Sequence, residues 1–141
     1  MRTALDTNVI SALWSAEPLA GAMAEWLNEA RRAGRLVICA PVMVELRAYP
    51  GATEEFVTRF LHDAAVEVDR QFSPRMWDEV GQAFATYADR RRRSSGGQPK
   101  RLLVDFMVGA HALIAADRLL TLDVYRYRQD FPGLVLPLAP L

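Results

Sequence analysis

Arg2-Thr3-Ala4-Leu5-Asp6-Thr7-Asn8-Val9-Ile10-Ser11 decides how this chain reads: a short apolar run meets an acid, then two small polar residues, then a second apolar run. Residues 2–5 are predicted as a first strand and residues 7–15 as a helix, with Thr7 available as its cap. Asp6 thus stands where a strand turns into a helix. Three more acids repeat the arrangement. Glu45 follows Val42-Met43-Val44, Asp105 follows Leu102-Leu103-Val104, and Asp123 follows Leu120-Thr121-Leu122. In a parallel α/β sheet such turns gather at the carboxyl ends of the strands, where ligands bind. Clustered carboxylates repel one another, and a hard divalent cation is the usual reason for a fold to tolerate them.

Outward from that stretch, strands and helices alternate. Leu19, Met23, Trp26, Leu27 and Ala30 recur at helical spacing between Glu17-Pro18, which opens the helix, and Gly34, which closes it. Residues 35–40 read as a second strand, and Pro41 starts a helix carrying Glu45 one turn in. Thr53 with Glu54 and Glu55 starts the next helix. A weak third strand is expected at 66–68, then a long helix over 75–93 capped by Ser73-Pro74. Residues 94–99 form a flexible loop rather than a linker. An apolar helix over 103–116, a fourth strand at 118–122, a short helix at 124–130 and a fifth strand at 134–136 complete the pattern. The alternation implies right-handed crossovers and a three-layer α/β/α domain, residues 1–141, around a five-stranded parallel sheet.

Bulk properties narrow the function. At 141 residues, 51% hydrophobic and 24% charged, the composition is that of one globular domain. No apolar run approaches a membrane span, and Arg2 and Asp6 argue against a signal-peptide core. The lone Cys39 cannot form an internal disulfide, which points to a reducing, cytoplasmic setting. One Cys with His62 and His111 cannot build a usual zinc site. Seventeen basic and seventeen acidic residues cancel, so net charge gives no hint of nucleic acid. Residues 90–101, however, hold six basic residues and no acid. Such a strip fits a phosphate chain held beside an acidic pocket, or equally a solvated helix end whose arginines complement the dipole.

Taken singly, Asp6, Asp105 and Asp123 each fit a helix cap or a first-turn acid. Glu45 fits that explanation less well, because its turn is otherwise apolar and an unpaired buried acid is costly. Together, oxygen-only ligands suit Mg²⁺ or Mn²⁺. The chemistry such a site does best is phosphoryl hydrolysis by a metal-activated water. No Ser–His or Cys–His nucleophile pair stands out. Thr7 and Asn8 could orient a metal-bound water or cap the helix. Thr121, two residues before Asp123 on the same strand face, could touch a ligand or belong to the core. His111 lies off the helical face of Asp105 and reads as structural. Arg126 and Arg128 could reach a phosphate or simply be exposed.

The motifs Leu5-Asp6-Thr7-Asn8-Val9-Ile10-Ser11, Val44-Glu45-Leu46, Asp105-Phe106-Met107-Val108-Gly109-Ala110-His111-Ala112-Leu113 and Leu120-Thr121-Leu122-Asp123 resemble, in order and spacing, a PIN-domain nuclease. Within that family the chain is most similar to the VapC-type toxins of toxin–antitoxin pairs, over nearly its whole length. The resemblance implies a Mg²⁺- or Mn²⁺-dependent endoribonuclease acting on RNA, frequent homodimers, and inhibition by a small cognate antitoxin. By motif position Asp6, Glu45, Asp105 and Asp123 are its acids, with Thr7, Asn8 and Thr121 in supporting places. The resemblance also implies that the antitoxin covers apolar surface near the first helices, at Trp14 or Leu19.

Two alternatives stand beside it. A haloacid-dehalogenase-like phosphatase also opens with a strand and Asp-x-Asp, but the second position here is Asn8, and Lys100, the sole lysine, would have to bind the phosphate. The other is a non-catalytic nucleic-acid or partner-binding module whose acids only cap helices.

Overall fold

A computed structural model describes residues 1–16, 18–94 and 101–141. Four strands and seven helices follow one another: β1 (Arg2–Leu5), α1 (Thr7–Trp14), α2 (Leu19–Ala33), β2 (Arg35–Cys39), α3 (Ala40–Leu46), α4 (Glu54–Asp63), β3 (Val66–Asp69), α5 (Pro74–Arg93), α6 (Leu103–Ala115), β4 (Arg118–Leu120) and α7 (Val124–Asp130). Every strand pairing is parallel, and the sheet order is β3-β2-β1-β4. Leu36, Val37, Ile38 and Cys39 are buried in succession along β2, as are Thr3, Ala4 and Leu5 along β1. Successive residues point to opposite faces, so both faces of the sheet are covered by helices. That is the three-layer α/β/α arrangement expected from the alternation.

The order of the strands fixes where a site can form. The chain steps outward from β1 to β2 to β3, then returns across the sheet to lay β4 on the other side of β1. Connections leave β1 and β4 in opposite directions, which opens a crevice beyond their carboxyl ends. Leu5 and Leu120 are register partners there, and the Asp6 amide donates to the Leu120 carbonyl at 3.0 Å.

The fifth strand does not form among the described residues; the sheet has four strands. The segment 134–136 does lie beside β4, where the Leu119 amide donates to the Val135 carbonyl at 3.0 Å. Parallel pairing would require residue 137 to return a bond to Leu119, and Pro137 has no N–H to give. Smaller shifts have local causes. Asp6, not Thr7, is the N-cap of α1, its carboxylate accepting from the Thr7 amide at 2.8 Å. The fourth strand stops at Leu120, which leaves Thr121 just beyond it. Thr53 and Ser73 cap α4 and α5 as expected, accepting from Phe56 N and Met76 N. The loop expected at 94–99 lies, beyond Ser94, outside the described residues.

Two glycines are steric requirements. A Cβ on Gly34 would sit 1.8 Å from the Met1 carbonyl oxygen, the acceptor of the Arg35 amide. One on Gly109 would sit 2.2 Å from the Phe131 ring, so α6 can lie against the segment after α7 only with glycine there. Phe84, Tyr87 and Phe131 in turn surround Phe106 of α6, with ring centroids 5.2–6.4 Å away. Among the described residues no helix is long and apolar enough to cross a membrane.

Candidate functional site

The crevice at the ends of β1 and β4 is built around Asp6, 6% exposed. One of its carboxylate oxygens takes the Thr7 amide, and the other accepts from the Thr121 hydroxyl at 2.8 Å. Thr121 is itself buried, and its oxygen receives the Asp123 amide at 3.0 Å. Asn8, one residue into α1, locks the two loops together. Its side-chain oxygen accepts from the Leu122 amide at 3.1 Å, while its Nδ2 lies 3.4 Å from both Thr121 Oγ1 and Asp123 Oδ2. Thr7 turns the other way and donates to Glu45 Oε1 at 2.6 Å. The two small polar residues after Asp6 therefore tie the β1 turn to α3 on one side and to the β4 turn on the other.

The electrostatics bear the mark of crowded acids. Burial pushes Asp6 up from 3.8 to about 6, against the hydrogen bonds from Thr121 and Thr7 that hold it down, and the Asp105 charge adds to the rise. Asp105 is also raised, first by burial and then by Asp123, with Arg101 and Arg126 opposing. Beneath them the Cys39 thiol is pushed up to about 12 by burial, with the Asp6 and Glu45 charges adding to it. Asp6, Glu45, Asp105 and Asp123 thus act on one another or on common neighbours, although residues 6 and 123 stand at opposite ends of the chain. Tyr127, one helical turn after Asp123, turns its buried hydroxyl toward Asp6. It is close enough to favour the ionised carboxylate but lacks hydrogen-bond geometry.

A capping role accounts for Asp6 but not for Asp123, which occupies the N-cap of α7, makes no cap bond there, and leaves its side chain exposed. Neither histidine stands with the acids. His111 is buried and its Nε2 lies 3.0 Å from Asp69 Oδ2, while His62 meets Asp63 on the surface of α4. The structural reading of His111 holds.

The donor set fits a hard divalent ion: carboxylate oxygens alone, two of them with raised proton affinity that a cation would relieve. Among the described residues no three acids, imidazoles or thiols stand close enough to hold one ion between them. Mg²⁺ is usually held by one or two carboxylates, with water and substrate phosphates completing its shell. The spacing is compatible with that mode and not with an all-protein cage.

The PIN domain family matches residues 3–131. The chain belongs to the PIN domain family. Solved structures of similar fold include VapBC-1 from nontypeable Haemophilus influenzae, 25% identical with TM-score 0.67, covering 97% of each chain. VapBC2 from Rickettsia felis, bound to a DNA fragment from its promoter, is 19% identical with TM-score 0.65, covering 97% of this chain and 98% of that one. FitAcB from Neisseria gonorrhoeae is 17% identical with TM-score 0.60, covering 95% of each. No curated protein matches the chain significantly in sequence. Membership of the PIN domain family sets aside the dehalogenase-like phosphatase, whose lysine, Lys100, falls outside the described residues.

Other residues of this PIN domain carry polar structure that its motifs do not announce. Asp130, with a side chain only 1% exposed, is gripped by Arg90 at 2.8 Å and by Arg101. Arg101 also lies 3.6 Å from Asp105. Their signal in the sequence is spacing: Arg101 precedes Asp105 by four residues, and Tyr127 follows Asp123 by four, the separations that share a helix face. The basic strip divides accordingly. Arg90 and Arg101 turn inward, whereas Arg92 and Arg93 stay exposed, paired loosely with Asp89 at 4.0 and 3.1 Å.

Proposed function

We propose that the protein is a metal-dependent endoribonuclease, the toxin of a pair in which a small cognate antitoxin silences it. The observation that carries this reading is the coupling of Asp6, Asp105 and Asp123 at the crevice between β1 and β4. PIN domain nucleases use divalent ions, and VapBC complexes among the similar folds support the toxin assignment. Asp6, Asp105 and Asp123 would hold Mg²⁺ or Mn²⁺, with Glu45 beside them. The ion would lower the pKa of a bound water and stabilise charge on the leaving oxygen. Thr121 and Thr7 orient the Asp6 and Glu45 carboxylates through the bonds described above, and Asn8 keeps Asp123 in register with them. Arg92 and Arg93 meet the RNA backbone outside the crevice. The protein acts in the cytoplasm as a homodimer, and the antitoxin covers the face where Trp14 packs edge-on against Tyr49, Phe56 and Phe60.

The test is cleavage of RNA by the purified chain with Mg²⁺ or Mn²⁺. Cutting should stop in EDTA and fall by roughly a hundredfold or more in Asp6→Asn and Asp105→Asn, the scale of losing groups that position a catalytic ion. Addition of the protein encoded beside it should suppress cutting. Undiminished cutting in EDTA would overturn the reading.

A further inference from the structure

Arg101 is a cation built into the wall of an acidic site. Its side chain is 11% exposed and meets the Asp130 carboxylate, which is itself clamped by Arg90. The guanidinium lies over the Phe106 ring at 4.9 Å and near the Tyr127 ring at 5.8 Å, and the Arg101 amide donates to Tyr87 Oη at 3.1 Å. So held, it cannot swing out to solvent as an ordinary surface arginine does. Its Nε is buried and has no hydrogen-bond partner, yet it stands 3.6 Å from Asp105 Oδ2. That distance is too long for a hydrogen bond and short enough for a strong charge interaction at a site with little water.

We infer that Arg101 is a positioning residue, the resident counter-ion of Asp105, fixed by Asp130 so that it neutralises the acid when no divalent ion is present and opposes the ion when one binds. The inference rests on the metal-dependent reading for the second half of that statement alone. A buried guanidinium stays charged at any working pH. It therefore supports the ion-free fold and sets a ceiling on ion affinity. Asp130 has no place in the family's acidic motif, and this gives it one: it orients the guanidinium rather than the ion.

The experiment has two arms on the full chain. In EDTA, melting of wild type, R101Q, D105N and the double variant measures the pair directly. R101Q should lower Tm in the wild-type background and lower it by several degrees less when Asp105 is already Asn. The second arm titrates Mn²⁺ by calorimetry, without substrate. R101Q should bind Mn²⁺ roughly tenfold more tightly, while R101K, which keeps the charge, should stay within about threefold of wild type. Additive Tm losses, or Mn²⁺ binding unchanged or weaker in R101Q, would overturn the inference. Absence of Mn²⁺ binding in every variant would overturn the metal-dependent reading and the opposition to the ion with it. Non-additive melting in EDTA would still establish the Arg101–Asp105 pair in that case. If R101Q does not fold, R101K binding Mn²⁺ about tenfold more tightly than wild type would overturn the claim that charge is what matters.

Discussion

Asp6→Asn should make the ion-free protein more stable at neutral pH. Asp6 has an ordinary pKa of 3.8 and is raised to about 6 by burial in the folded chain. The folded state therefore binds more protons than the unfolded state between those values. The stability contribution is fully present below about pH 4 and lost as pH rises through about 6, a difference of about 3 kcal/mol. Asn carries no charge and removes that loss. It still caps α1, since Asn and Asp are equivalent N-caps. Its amide cannot accept from Thr121 as the carboxylate does, which costs about 1 kcal/mol. The net gain at about pH 7.5 is about 2 kcal/mol, or roughly 6 °C in Tm for a chain of this size. Melting both proteins in EDTA from about pH 4 to 7.5, and taking the difference curve, isolates Asp6. That subtraction matters because Asp105 is raised too, whereas Asp69 and His111 are lowered and give stability the opposite slope. A flat difference curve, or a variant less stable than wild type at neutral pH, would refute the reasoning.

Gly109→Ala drives a Cβ into the Phe131 ring and should cost about 1–3 kcal/mol in denaturant melts, through overpacking between α6 and the chain after α7. Ala65, just past α4, adopts φ 55, so Ala65→Gly should stabilise by about 1 kcal/mol; a loss of stability there would mean its methyl packs usefully. Replacing Arg92 and Arg93 with Gln should weaken RNA binding and lower the slope of log Kd against log salt by about 1, with the rate at saturating RNA unchanged.

Much of the architecture was legible because each level of the sequence agrees with the next. The apolar spacing of Met23, Trp26, Leu27 and Ala30 buries one face of α2, and Thr53 and Ser73 cap the helices that follow them. The alternation implied parallel strands but not their order, and the switch point between β1 and β4 depends on that order. The fifth strand was misread because Leu134-Val135-Leu136 has strand composition, while the obstacle, Pro137, acts through a single missing donor. At the site, acid type and position after strands were visible. The shared hydrogen bonds of Thr121 were not, because they join residues more than a hundred positions apart. Arg101 and Asp130 were hidden in another way: six clustered basic residues look like a surface, and only packing against Phe106 and Tyr127 turns one of them inward.

The central claim is that water attached to a metal ion, and not the ribose hydroxyl, attacks the phosphodiester. Neither histidine stands at the acids to serve as a base for the 2′-hydroxyl. Cleaving a defined RNA in ¹⁸O-labelled water with Mg²⁺ or Mn²⁺, then analysing the new ends by mass spectrometry, tests this directly. The account predicts 3′-hydroxyl and 5′-phosphate ends, with the label in the phosphate. Ends bearing 2′,3′-cyclic phosphate and 5′-hydroxyl would contradict it.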